Sequence, residues 1–182
     1  PHDIGRYGVM YGGVQKNVGP AGLVIAVIRE DLIPQDDIAL CPTMLAWKTQ
    51  ADAGSLYNTH NCWAIYVCGK VFKWLMRKGG LASIRECNEA KARILYDFLD
   101  ESALFKGTVR TCDRSIMNVP FVTGDQELDA AFVKAADAAG LVNLKGHRSV
   151  GGMRASLYNA MPVEGVEALV AAMKDFEAHH RN

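Results

Sequence analysis

The sequence predicts an α/β fold in two parts, and three observations lead to this prediction. Near the start, two short β-branched apolar runs flank a glycine-rich stretch, as strands joined by a turn do. Stretches with the apolar spacing of helices follow in the middle of the chain. After them, short β-type segments alternate with helices, which is the pattern of a small α/β layer. We place the boundary at the second long helix, so that the parts are residues 1–80 and 81–182.

The first part is predicted to hold two strands and a long helix. The strands cover Gly8–Tyr11 and Leu23–Ile28, and since both runs are almost wholly apolar we expect a parallel sheet buried on both faces. Asn61 is expected to cap the helix and Gly79-Gly80 to end it. The predicted apolar stripe of this helix comprises Trp63, Ile65, Tyr66, Cys68, Gly69, Phe72, Leu75 and Met76.

The second part is predicted to begin with the helix Leu81–Leu99, which would turn Ile84, Cys87, Ala90, Ile94, Leu95 and Phe98 to one side. Asp125 is expected to cap a later helix. The remaining elements are strands at Thr108–Cys112 and Ile116–Phe121, a helix at Gln126–Ala139, strands at Leu141–Leu144 and Met153–Tyr158, and a closing amphipathic helix at Val163–His179.

The composition is that of a globular protein, with 49% hydrophobic and 22% charged residues. Twenty basic and twenty acidic residues cancel, which gives no support for nucleic acid or an anionic membrane as partner. No apolar run approaches the ~20 residues that span a bilayer. No signal peptide is visible, so we expect a cytoplasmic protein.

Five cysteines are scattered without Cys-x-x-Cys spacing, at positions 41, 62, 68, 87 and 112. This pattern predicts reduced, mostly buried thiols and no structural metal site. The chain also lacks an initiator methionine, and an apolar strand follows Pro1-His2-Asp3-Ile4 almost at once. We therefore expect this sequence to be a piece of a longer protein.

The stretch Tyr11–Gly22 carries the clearest chemical signal. Its glycines allow positive φ and close approach to a ligand, and its one lysine, Lys16, lies between the predicted buried strands. An amine that is partly desolvated there would be nucleophilic and could form a Schiff base with a carbonyl, most often pyridoxal 5′-phosphate. A phosphate-binding P-loop fails on spacing, because Asn17 follows the lysine and no glycine precedes it directly. From the residues alone, a solvated turn lysine stays open.

Three strings in the chain resemble one enzyme family. They are Tyr7–Gly22, Ser55–Thr59 (Ser-Leu-Tyr-Asn-Thr) and Leu144–Ala160, which contains Lys-Gly-His-Arg-Ser-Val-Gly-Gly-Met-Arg. On these strings the chain resembles the phosphoserine aminotransferase family, class V aminotransferases among the fold-type I pyridoxal phosphate enzymes. The resemblance runs from the first residues to the last helix, and the third string is highly specific.

The resemblance implies both a fold and a reaction. Residues 1–80 would be the C-terminal part of the large cofactor-binding α/β domain, and residues 81–182 the small C-terminal α/β domain. The family transfers an amino group from glutamate to 3-phosphohydroxypyruvate, giving O-phosphoserine and 2-oxoglutarate in serine biosynthesis, with a related step in pyridoxine biosynthesis. The enzyme would be a cytoplasmic homodimer, and roughly half of it would precede this sequence.

The resemblance also implies residues that bind the cofactor. Lys16 would form the Schiff base and later move the substrate proton, and Gln15 would contact the cofactor phosphate. Asn58 and Thr59 would reach the cofactor phosphate of the partner subunit. On the residues alone, this Asn-Thr pair is better explained as a turn and helix cap. The family usually continues with Pro-Pro, whereas this chain has His60-Asn61, so we expect a less rigid loop.

A cluster of His147, Arg148 and Arg154 is expected to bind substrate, since planar forks and extra positive charge suit a carboxylate and a phosphate. Gly151-Gly152 would leave room for a ligand before Arg154. The resemblance assigns the α-carboxylate to Arg154, and the substrate phosphate to His147 and Arg148 from across the dimer. A surface arginine at 148 and a satisfied loop histidine at 147 are the alternatives.

Several parts of the family's site are missing from this sequence. The aspartate for the pyridine nitrogen, the stacking aromatic and the main phosphate loop would all lie upstream, and Asp3 is not the family's aspartate. We therefore expect the chain to be inactive by itself. The alternative function is that of a non-catalytic folded fragment, which pairs with other chains through exposed sheet and interface surface.

Overall fold

The computed structural model describes residues 2–36 and 38–180, so Pro1, Asp37, Arg181 and Asn182 lie outside the described residues. The predicted mixed α/β fold is confirmed. The chain divides into two compact units, Pro1–Leu81, which we call the hairpin unit, and Ala82–Asn182, which we call the sheet unit. That the parts 1–80 and 81–182 correspond to the large and small domains of a longer enzyme stays a prediction.

The hairpin unit is built on two strands, β1 (Val9–Gly13) and β2 (Val24–Ile28), which pair antiparallel. The expected parallel sheet, buried on both faces, is wrong. Tyr11 is 79% exposed and Val24 is 62% exposed. A parallel pair needs a crossover of a dozen or more residues, and residues 14–23 are too few to supply one.

Two helices complete the hairpin unit, α1 (Trp47–Asp52) and α2 (Cys62–Arg77). Asn61 caps α2 as predicted, and its Oδ1 accepts a hydrogen bond from the amide of Ala64 at 3.1 Å. The buried residues of α2 are Ala64 and Cys68 alone. Most of the predicted apolar stripe is exposed, namely Trp63, Ile65, Tyr66, Phe72 and Met76.

The sheet unit alternates strands and helices. The elements are α3 (Gly80–Glu101), β3 (Lys106–Gly107), β4 (Asn118–Val122), α4 (Gln126–Ala138), β5 (Met153–Ser156) and α5 (Val163–His179). The strands form an antiparallel sheet of order β3-β4-β5, with Val119 of β4 opposite Ala155 of β5. Asp125 caps α4 as predicted, accepting hydrogen bonds from two amides of the first turn. Within the described ranges, no helix has the length and apolar character needed to cross a membrane.

Two predicted strands of this unit are wrong. In place of a strand at 108–112 the chain makes a 3-10 turn at Thr111–Asp113, which the ion pair between Arg110 and Asp113 closes at 2.7 Å. Residues 141–144 form no strand, because Asn143 has a φ of 64° and interrupts the extended chain. The pairing there is a single bridge between Lys145 and Met153.

The core of the sheet unit is centred on phenylalanines that meet edge to face. The ring of Phe105, which is fully buried, lies 4.9 Å from that of Phe132 and 6.1 Å from that of Phe121. On β5 the residues Met153 and Ala155 face this core, and Arg154 and Ser156 face the other way. The core therefore fixes the direction in which Arg154 points.

The buried face of helix α3 differs from the apolar face that the sequence predicted. Cys87 and Ala90, predicted on its apolar side, are exposed, whereas the polar residues Asn88 and Lys91 are buried.

The expectation of mostly buried cysteines is also wrong. Of the five free thiols, one is buried and one is half-buried, and the exposed ones are Cys62, Cys87 and Cys112.

Candidate active site

Lys16 lies in a tight turn between β1 and β2. Its amide donates a hydrogen bond to the carbonyl of Gly19 at 3.0 Å, and Gln15 pairs with Gly19 in an isolated bridge. The φ of Lys16 is 96°, a left-handed value that costs a residue other than glycine about 1–3 kcal/mol. The surrounding structure holds this strain, as is typical of functional positions.

The turn is fixed on its flanks and against helix α2. Val14 is 2% exposed, and its amide donates to the carbonyl of Leu23 at 3.0 Å. A Cβ on Gly19 would lie 3.5 Å from the Cα of Cys68, and a Cβ on Gly22 would lie 2.8 Å from the Nδ2 of Asn61. A side chain at Gly22 would therefore crowd Asn61, and the φ of 97° at this position also favours glycine.

The side chains of Gln15 and Lys16 are exposed. The expectation that buried strands desolvate the lysine is therefore wrong for this chain, since β1 and β2 themselves are open to solvent. What the turn supplies is an accessible amine and an accessible amide, adjacent to each other and held on a fixed backbone.

Asn58 and Thr59 are also exposed, in the loop that leads into α2. The Nδ2 of Asn58 donates to the carbonyl of Thr59 at 3.0 Å, so part of the amide serves the turn itself. The helix cap is Asn61, which follows His60 at the end of this loop. Asn61 thus borders both the loop that carries Asn58 and Thr59 and the turn that carries Lys16.

Arg154 lies on β5, and its amide donates to the carbonyl of Leu144 at 2.7 Å. Its side chain is half-buried and lines a groove of about 560 Å³ together with Asn143, Ser156, Tyr158 and Met161. The Nε of Arg154 is buried and has no hydrogen-bond partner among the described residues. A buried donor of this kind is normally satisfied, and a carboxylate is the acceptor that matches a guanidinium fork.

His147 and Arg148 are exposed and line a second groove of about 840 Å³, with Gln126, Asp129, Lys134 and Lys145. The Nδ1 of His147 accepts a hydrogen bond from the amide of Ser149 at 3.3 Å and lies 2.7 Å from its Oγ. The predicted cluster is thus divided, because Arg154 lines one groove and His147 and Arg148 line the other.

Gly146 and Gly152 are required by close contacts within the protein rather than by a ligand. A Cβ on Gly146 would lie 2.1 Å from the carbonyl oxygen of Gly151, and one on Gly152 would lie 2.7 Å from Cγ1 of Val122. The expectation that Gly152 leaves room for a ligand is wrong, because β4 fills that space. At Gly151 the space is open, with nothing within 4 Å.

Sequence reasoning missed two polar residues behind the Arg154 groove. Lys91, fully buried on α3, donates from its amine to the carbonyls of Tyr158 at 2.7 Å and Met161 at 3.0 Å. Burial lowers the pKa of Lys91, since desolvation disfavours its charged form. Asn88, one turn earlier, donates to the Oδ1 of Asn159 at 2.8 Å. Two polar residues at helical spacing inside an apolar stripe were the available signal.

Comparison with known proteins gives consistent matches. The family model described as "Aminotransferase class-V" matches residues 1–169. The phosphoserine aminotransferase of Nitrosomonas europaea is 53% identical over 180 residues, which are 99% of this chain and 49% of that protein. The chain spans about half the length of the curated relatives it matches.

Two solved structures are similar in the same way. The phosphoserine aminotransferase from Bacillus circulans subsp. alkalophilus superposes with a TM-score of 0.95 at 43% identity, over 100% of this chain and 50% of that one. The PLP-bound enzyme from Trichomonas vaginalis gives 0.89 at 38% identity, over 95% of this chain and 49% of that one.

Proposed function

We propose a function in amino-group transfer, because the chain belongs to the class V aminotransferase family. The chain would supply part of the site that transfers an amino group from glutamate to 3-phosphohydroxypyruvate. The products would be O-phosphoserine and 2-oxoglutarate, in serine biosynthesis. The single observation that carries the proposal is the turn of Lys16, which holds an accessible amine at a strained φ of 96° on a backbone fixed against α2.

The donor set fits pyridoxal 5′-phosphate, the cofactor of this family. Lys16 offers an amine for its aldehyde, and Gln15 an amide for its phosphate, while Asn58 and Thr59 offer an amide and a hydroxyl for the phosphate of a partner subunit's cofactor. The cofactor, when bound, withdraws electrons from the substrate Cα. Lys16 would take the proton from that carbon and return it to C4′ of the cofactor.

The sheet unit would supply substrate recognition. The guanidinium of Arg154, whose Nε has no hydrogen-bond partner among the described residues, would bind the substrate α-carboxylate with two parallel hydrogen bonds. His147 and Arg148, which line a different groove, would bind the phosphate of the substrate held by the partner subunit. This division of labour is our proposal and makes the functional protein a homodimer.

We further propose that the chain does not transaminate by itself. It spans about half the length of the relatives that it matches, and by the family resemblance the residues that hold the pyridine ring would lie in the other half. The second candidate function, a folded fragment that associates with other chains, is supported by the large apolar side chains exposed in the hairpin unit, among them Tyr11, Trp63, Tyr66 and Met76.

Borohydride reduction in the presence of pyridoxal phosphate tests the role of Lys16. In the holoenzyme that contains this chain, peptide mass spectrometry should find the reduced adduct on the peptide of Lys16 and lose it in Lys16→Ala. The matched control is Lys73→Ala, which removes an exposed lysine of α2 in the same unit. An adduct that stays in Lys16→Ala, or normal turnover by that variant, would refute the assignment.

Substrate kinetics test the division between Arg154 and His147. Arg154→Lys keeps the charge but loses the fork, so binding of glutamate and phosphoserine should both weaken by about 1.5–3 kcal/mol. His147→Ala should weaken phosphoserine binding selectively. Equal losses for the two amino donors in the His147 variant would contradict the proposal.

A further inference from the structure

We propose that Lys91, with Asn88, is a positioning residue that holds the wall of the Arg154 groove in the shape that accepts the substrate carboxylate. This inference rests on the proposed function of that groove. It concerns the loop Tyr158–Met161, which leaves the sheet just after β5 and lies between Arg154 and helix α5.

The burial of Lys91 calls for an explanation. Lysine is almost never fully buried unless it is paired, and the hydrogen-bond partners of this amine are two backbone carbonyls rather than a carboxylate. An isostere such as methionine would fill the same space without the cost of burying a charge. A buried lysine therefore stabilises the core less than an apolar side chain of the same size would. What the lysine adds is the fixed position of the two carbonyls that accept its hydrogen bonds.

Those carbonyls belong to one short loop. The carbonyl of Tyr158 accepts hydrogen bonds from Lys91 and, at 2.9 Å, from the amide of Met161, so the amine closes the turn from inside. Asn88 donates a hydrogen bond to the side chain of Asn159, which lies between Tyr158 and Met161 in this loop. Since Asn88 and Lys91 are three residues apart, one face of α3 holds the whole loop.

The same loop forms part of the groove. The side chains of Tyr158 and Met161 line it together with Arg154 and Ser156. The side chain of Met161 also packs closely on Gly165 of α5, since a Cβ added there would lie 2.7 Å from its Sδ. Loss of the amine would free the carbonyl of Met161 and let the wall move, while Arg154 stayed on its strand.

The test compares two variants of the holoenzyme with a matched control. Lys91→Met should raise the KM for glutamate on the order of tenfold, because a displaced wall would misplace the carboxylate against Arg154, with a smaller change in kcat. Asn88→Ala, which removes the neutral contact, should do the same more weakly and guards against misfolding of the first variant. The control Ser102→Ala removes a buried hydroxyl that donates to Glu177 at 2.7 Å, a contact that does not involve the loop Tyr158–Met161.

A rise in KM for Lys91→Met and Asn88→Ala, with an unchanged KM for Ser102→Ala at a similar loss of Tm, would support the proposal. A KM for glutamate that is unchanged from wild type in Lys91→Met and Asn88→Ala would overturn the proposal. The same rise in KM in all three variants would overturn it as well. Hydrogen exchange at the amide of Met161 gives a readout that needs no activity, and it should accelerate in the two variants alone. If wild-type protein neither binds nor turns over glutamate, the proposed function fails, and the exchange rate still decides whether Lys91 holds the loop.

Discussion

Alanine at Gly152 and alanine at Gly151 should have different effects, although the two residues are neighbours and both have positive φ, 61° and 77°. A Cβ at Gly151 would meet nothing within 4 Å, whereas one at Gly152 would lie 2.7 Å from Cγ1 of Val122 and 3.1 Å from the carbonyl oxygen of Phe121. The pair therefore separates the cost of backbone conformation from the cost of a collision with β4.

The magnitudes follow from these distances. An alanine in the left-handed region costs about 1–2 kcal/mol, and the loss of unfolded-state freedom returns about 0.4–1 kcal/mol. Gly151→Ala should therefore lower the free energy of unfolding by about 1 kcal/mol. At Gly152 the stiff side chain of Val122 and the strand backbone must also move, which adds about 1–3 kcal/mol of overpacking. Gly152→Ala should then cost about 2–4 kcal/mol.

Urea unfolding of both variants gives the free energies, and the KM for glutamate shows whether the displacement reaches Arg154, two residues further on. The KM should rise in Gly152→Ala only. Adding Val122→Ala to Gly152→Ala should recover part of the loss, since the closest contact is removed. Equal costs at the two glycines, or no coupling between positions 122 and 152, would refute the steric argument.

Two further predictions concern the pH dependence and the Lys16 turn. A hydrogen bond from Arg114 at 2.8 Å lowers the pKa of Asp100 below its ordinary value. This hydrogen bond therefore stabilises the folded state fully when the pH is above the ordinary pKa of aspartate, and the stabilisation is lost as the pH falls through the lowered pKa. The deficit of Asp100→Asn in urea unfolding should therefore shrink towards strongly acid pH, and a deficit that is constant with pH would contradict this. Asn61→Ala should cost about 1 kcal/mol as a lost cap. Asn61→Ala should also remove the atom that a Cβ at position 22 would meet, so Gly22→Ala should cost less in the Asn61→Ala background than alone. Additive costs of the two substitutions would contradict this contact.

The elements that the sequence predicted well are those fixed by local interactions. Asn61 and Asp125 cap their helices, and the closing helix has the predicted bounds Val163–His179. Caps and apolar periods act within one or two turns, so the sequence alone carries them. Strand pairing depends on distant partners and on competing turns, which is why residues 108–112 and 141–144 were wrongly assigned.

The candidate site shows the same limit. Lys16, Arg154 and His147 could be named because they stand in distinctive strings, but their exposure and their distribution over two grooves depend on packing. The local pattern could mark Lys91 as a polar residue in an apolar stripe but could not identify its partners, because Tyr158 and Met161 lie on a distant loop. A lysine inside an apolar stripe is ordinarily assigned to the surface.

The last prediction concerns the unequal cores of the two units. Among the described residues, the buried apolar side chains of the hairpin unit are Val14, Ala64 and Cys68, whereas those of the sheet unit form one large cluster around Phe105. Full burial of a large apolar side chain contributes about 1.5–3 kcal/mol, and ordering one residue's backbone costs about 1–2 kcal/mol. A core this small cannot offset the ordering of the whole hairpin unit. We therefore expect that unit to be ordered only through contacts with another chain.

Limited proteolysis of the chain alone should cut first within the hairpin unit and leave a resistant fragment that contains the sheet unit. Phe105→Ala is the control, because it should lower the stability of the sheet unit by about 3–5 kcal/mol and make that fragment susceptible too. The reasoning requires a difference between the units, since protection follows the free energy of local opening. A compact monomer that is protected equally in both units would show that the exposed apolar surface of the hairpin unit needs no partner.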